Sequence, residues 1–79
     1  MPAKVTQEDW EDRARRFLKA ELKRADVTYE ELAKRLTAHG FDETKASIAA
    51  KLSRGTFAAT FLLACLAALE LEGIRLEDL

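Results

Sequence analysis

Apolar positions recur at helical spacing along most of this chain, and each periodic stretch is bracketed by start and stop signals. Trp10, Ala14, Phe17, Leu18, Leu22 and Ala25 share one face at about 100° per residue, while Arg15, Arg16, Lys19 and Lys23 share the other. This predicts a first helix of about nineteen residues. Thr6 is its expected N-cap, with Asp9 completing an acidic variant of the capping box and Val5 stapled to Trp10. The signal repeats at Thr28: Glu31 completes a box, Val27 faces Leu32, and VTYEELAKRLTAHG reads as a second helix stopped by Gly40. Leu32, Ala33 and Leu36 form its buried stripe.

Phe41 and Asp42 then form a connector, with Asp42 as the expected cap of a third helix over about residues 43–54, anchored by Ile48 and Leu52 and closed by Gly55. Thr56 opens the expected fourth helix. There Phe61, Leu62, Cys65, Leu66 and Leu69 point inward, and Thr60, Leu63, Ala67 and Glu70 lie outside. Leu63 faces outward among small residues, so Thr60, Leu63 and Ala67 are the expected homodimer contact, the alternative being a lid formed by the last six residues folding back. Gly73 breaks the pattern, leaving 73–79 as a tail or one short helical turn. Nothing alternates as a strand. The expected fold class is all-α, a compact bundle of four to five helices with residues 1–5 disordered and 6–72 forming one domain.

Composition narrows the function without naming it. With 79 residues, 48% hydrophobic and 34% charged, the chain can form one small core, and folding at this size buries only about 60 to 65% of the unfolded surface. A single cysteine excludes an internal disulfide and favours a reducing, cytoplasmic setting. The longest wholly apolar run, 61–69, is too short to cross a bilayer. Net charge is −1, but residues 1–55 hold twelve bases against ten acids, whereas 56–79 hold one against four. The modest positive side lies upstream.

Most of these charges pair locally. Asp9 with Arg13, Glu11 with Arg15, Asp12 with Arg16, Glu30 with Lys34 and Glu31 with Arg35 are acid-first i,i+4 pairs, each worth about 0.2–0.5 kcal/mol. Glu21 is expected at the core rim beside Arg24. The bases left without such a partner include Lys45, Lys51 and Arg54, all on the third helix, and point either to phosphate contact or to a solvated face complementing the helix dipole. His39 reads as a helix-end cation and Cys65 as a buried inert thiol. No phosphate loop, nucleophile triad or metal-ligand spacing is present, so neither an enzyme nor a cofactor is expected.

Two motifs carry a family resemblance. VTYEELAKRL resembles the LSQEELAxxL opening of the second helix in phage-repressor-type, Cro/C1-like helix-turn-helix domains, and SIAAKLSRG resembles their STISRIERG third helix. Over nearly its whole length the chain also resembles a family of small bacterial domains of unknown function with a TYxELA and ISRG pattern. The repressor likeness implies a lambda-repressor-like helix-turn-helix that binds double-stranded DNA, and carries the roles of Thr28, Tyr29, Thr44, Lys45, Ser47, Lys51 and Arg54 as DNA contacts. Three departures qualify it. Leu32 and Ile48 are 16 residues apart, so the connector is longer by about one helical turn. The arginine and glutamate that join helices 1 and 3 in many such domains map onto Leu22 and Ser53, both uncharged. The base-reading positions map onto Lys45, Ala46 and Ala50, and the chain has no Asn and one Gln to bridge adenine. A regulator of modest specificity is the expected function, with a helical interaction or dimerisation module as the alternative.

Overall fold

The computed structural model describes residues 5–79, so the disorder expected of residues 1–5 falls, but for Val5, outside the described residues. Four α-helices run in the order α1 (Gln7–Ala25), α2 (Tyr29–Thr37), α3 (Lys45–Arg54) and α4 (Ala59–Ala68), followed by a single 3-10 turn at Leu76–Asp78. There is no strand among the described residues, and no helix is long and apolar enough to cross a membrane. The fold is all-α. α3 packs against both α1 and α2, and α2 packs against α4, so α2 and α3 form the centre and α1 and α4 the flanks.

α1, α2 and α3 each begin where a side chain can satisfy a free N–H group. Thr6 accepts from the Asp9 N–H at 3.2 Å while Asp9 accepts from the Thr6 N–H at 2.9 Å, a complete capping box. Thr28 accepts from the Glu31 N–H at 3.1 Å, but the Glu31 carboxylate turns to Arg35 at 3.0 Å, so only half of the expected box forms. At α3 the cap is Thr44 rather than Asp42. Thr44 and Ser47 exchange reciprocal bonds of 2.8 and 3.0 Å, and residues 41–44 stay non-helical so that Phe41 can reach Phe61 edge-on at 6.4 Å. α4 starts two residues later than a Thr56 cap implies, at Ala59 and with no side-chain cap. Residues 56–58 lie outside the helix, and Phe57 packs on Phe61 at 5.5 Å.

Three of these helices end alike. Asp26, Gly40 and Glu70 take left-handed φ values of 58°, 83° and 60°. In each case the next residue donates its N–H five positions back: Val27 to Leu22, Phe41 to Leu36 and Leu71 to Leu66, at 2.9 to 3.0 Å. Val27, Phe41 and Leu71 all rest on the core, so each stop also delivers an apolar side chain inward. The core is Leu18, Leu22, Leu32, Leu36, Ile48, Leu52, Phe61 and Cys65, with Ala64, Ala68 and Leu69 at its edge. Trp10 and Ala25, expected on the inward face of α1, are instead exposed, and Phe17 is half-buried. Leu18 and Leu22 are the buried residues of α1, so the flank that carries Trp10 and Ala25 stays open.

α1 and α3 meet closely at one point. Gly55, left-handed at φ 73° and buried, sits so near α1 that a Cβ there would lie 2.7 Å from the Glu11 carbonyl oxygen. Glycine is required at this position both for its backbone angle and for this approach.

Candidate nucleic-acid interface

α3 is held from the inside by Ile48 and Leu52, both fully buried, which fixes which of its residues can meet a partner. Ala46, Ala50, Ser53 and Arg54 are exposed on the side away from the core, with Ala49 half-buried beside them, and Lys45 is exposed in the first turn. Lys45 and Arg54 stand at opposite ends of the helix, nine residues and therefore about 13 Å apart along its axis. Between them the surface is alanine and serine.

Two of the expected contact residues are already engaged. Lys51 Nζ lies 2.9 Å from both carboxylate oxygens of Glu43, and the Ser47 hydroxyl donates to the same carboxylate at 2.6 Å. The Glu43 side chain is only 9% exposed. Burial by itself would raise its pKa, but the hydrogen bonds from Ser47 and Lys51, together with the Lys51 charge, outweigh burial and hold the carboxyl below its ordinary range. Lys51 Nζ also lies 5.3 Å from the centroid of the Phe61 ring, a cation–π contact onto the core. Lys51 and Ser47 thus form a brace along one flank of α3. Glu43 is not found by local spacing because Lys51 lies eight residues away, beyond the i,i+4 rule, and Glu43 stands before the helix that carries Lys51.

The remaining expected contacts separate further. Thr44 is exposed, and its hydroxyl oxygen accepts from the Ser47 N–H. Thr28 is exposed and spends its hydroxyl oxygen on the Glu31 N–H, while Tyr29 is half-buried against the core. Glu30 and Glu31 occupy the first turn of α2 and already complement its positive end, whereas the first turn of α3 has no acid. Of the seven residues proposed for DNA contact, Lys45 and Arg54 are the exposed cations without an ion-pair partner among the described residues.

On α4, Thr60, Leu63 and Ala67 are all exposed, Leu63 at 61%. α4 carries no charged residue. The last six residues do not cover Leu63, since Leu76 is itself exposed and the segment's end lies along α1, where Asp78 and Leu79 face Arg13, Phe17 and Arg24. Cys65 is fully buried, and burial with the nearby Glu43 charge pushes its thiol up to about 12, which leaves it protonated and unreactive. Among the described residues no three His, Cys, Asp or Glu side chains come together as a metal site.

A family model described as a domain of unknown function, DUF6471, matches residues 10–74, and the chain belongs to that family. No curated protein and no solved structure matches it.

Proposed function

We propose that this DUF6471 domain binds double-stranded DNA as a helix-turn-helix, with α2 and α3 as its two helices and α3 laid in the major groove. The observation that carries the reading is the pair Lys45 and Arg54. They stand at the two ends of an alanine face, about 13 Å apart along the helix axis, where cations can meet phosphates while the alanines face the groove. Ala46 and Ala50 offer no hydrogen bond to a base edge and at most a contact to a thymine methyl, so recognition rests on the backbone and on DNA shape. Such a protein would act as a transcriptional regulator of modest specificity.

A titration with random-sequence duplex DNA at two salt concentrations tests this. With Lys45 and Arg54 contributing from both halves of a dimer, four neutralised phosphates give a slope of log affinity against log salt near −3.5. Lys45→Ala/Arg54→Ala should remove binding, whereas Lys51→Ala should act mainly on stability. Absence of binding at low salt overturns the reading.

The exposed Leu63, on a helix without charge, favours a second reading, a helical interaction or homodimerisation module that keeps the fold without reading DNA. Light scattering on Leu63→Glu distinguishes them. A dimer that becomes a monomer, with no DNA binding by either form, supports the module.

A further inference from the structure

Trp10, Arg13, Phe17, Ala20 and Arg24 follow one another in steps of three and four along α1, forming a straight stripe on the flank that the core leaves uncovered. Arg13, Phe17, Ala20 and Arg24 of this stripe form one wall of a cleft of about 600 Å³, with Trp10 just beyond its end. Arg13, Arg16 and Arg24 supply its cations, Phe17 and Ala20 its apolar floor, and Glu21 its rim. The opposite wall is the chain's own Asp78 and Leu79. Arg13 lies 5.1 Å from the centroid of the Trp10 ring and has no ion-pair partner among the described residues. Arg16 and Arg24 are paired with Asp12 and Glu21 on their own helix, and each keeps guanidinium N–H groups free.

From this arrangement we infer that the α1 stripe is a docking site for an acidic, leucine-bearing helical segment of another protein. The three-four spacing is the pattern by which one helix seats another, and guanidinium groups beside an apolar floor match a partner that alternates carboxylate with leucine. The chain's own Leu-Glu-Asp-Leu turn has this composition, and it reaches only part of the site. Its Leu76 stays exposed, its Glu77 pairs with Arg75, and Asp78 makes no ion pair with the arginines it faces. Residues 76–79 are therefore a weak internal competitor for the segment that fills the cleft.

Chemical-shift mapping on the full chain tests this, with a synthetic amphipathic peptide carrying leucines on one face and Asp and Glu beside them. Shifts are expected at the Trp10 indole, at Phe17, Ala20 and Arg24, and at residues 76–79, with α3 unmoved. Asp78→Ala/Leu79→Ser, which weakens the internal competitor, should tighten binding several-fold. Arg13→Gln/Arg24→Gln should weaken it at least ten-fold while leaving the spectrum of α2 and α3 in place, which shows that the variant still folds. Equal binding of a peptide with lysine in place of each acid, shifts confined to α3, no binding at millimolar peptide, or displacement of the peptide from α1 by duplex DNA would each overturn the inference.

Discussion

The Arg15 guanidinium of α1 donates to the Ser53 carbonyl oxygen at the end of α3, 3.0 Å away, while its other two nitrogens hold Asp12 at 2.9 and 3.2 Å. Local spacing assigns Arg15 to Glu11. The structure gives it a tertiary role, because the last carbonyls of α3 lack helical partners and a cation is their best donor. α1 and α3 are thus joined through a main-chain oxygen. Arg35 repeats the arrangement, with Glu31 at 3.0 Å on its own helix and the Ala68 carbonyl of α4 at 3.1 Å.

Arg15→Ala is expected to destabilise the fold by about 1 kcal/mol, the value of a charge-assisted bond reduced for its partial exposure. In a domain of this size that lowers Tm by about 4–8 °C. Glu11→Gln should change Tm little. Calorimetry on the two variants checks both outcomes, and equal losses would contradict the assigned partner.

The glycines separate conformation from contact. Gly40→Ala meets no atom within 4 Å, so its cost is that of a left-handed alanine, about 1 kcal/mol. Gly55→Ala carries the same cost and also drives a methyl to 2.7 Å from the Glu11 carbonyl oxygen, which must part α1 from α3. A loss of about 3 kcal/mol or failure to fold is expected. Urea titration of the pair measures the difference.

Glu70→Gly should stabilise the protein, by up to about 1 kcal/mol. Glu70 holds φ 60° at the end of α4, a conformation glycine adopts without strain, and its side chain is exposed. A rise in Tm with an unchanged far-UV spectrum is the expected result.

The Glu43 brace makes stability depend on acid. Its pKa is lowered in the folded state, so its contribution is fully present above the ordinary value of 4.5 and is lost as pH falls through the folded pKa. Lys51→Met leaves the carboxylate largely buried with only Ser47 as side-chain donor, and should cost about 2 kcal/mol at neutral pH. The deficit should shrink as pH drops below about 4.5, because a protonated Glu43 needs no cation. Denaturation of wild type and variant across pH 3 to 7 checks the sign.

How much of this was legible in the sequence depends on the range of each interaction. Thr6 with Asp9, the stops at Gly40 and Gly55, and the inward Leu32, Leu36, Ile48 and Leu52 all follow from spacing within one or two turns. Glu21 beside Arg24 does too. The misplaced elements had rivals that local spacing could not rank. Asp42 is the cap expected from the sequence, whereas α3 is capped by Thr44, which exchanges bonds with Ser47 three residues on. Thr56 resembles a helix start, but Phe57 is needed outside the helix. At the candidate interface, the exposure of Lys45, Arg54 and Leu63 agrees with the pattern of the sequence. Lys51 does not, since its partner sits before the helix that carries it.

The two arginine links also say something about the order of assembly. One closes the chain from residue 15 to residue 53 and the other from 35 to 68, so the two loops overlap over residues 35–53. Neither α1 nor α4 can be added as an independent appendage, because each is tied to an element enclosed by the other's loop. The chain is therefore expected to unfold as one unit, with α3 and the end of α2 exchanging their amide protons last and residues 73–79 first, an order that native-state hydrogen exchange would read.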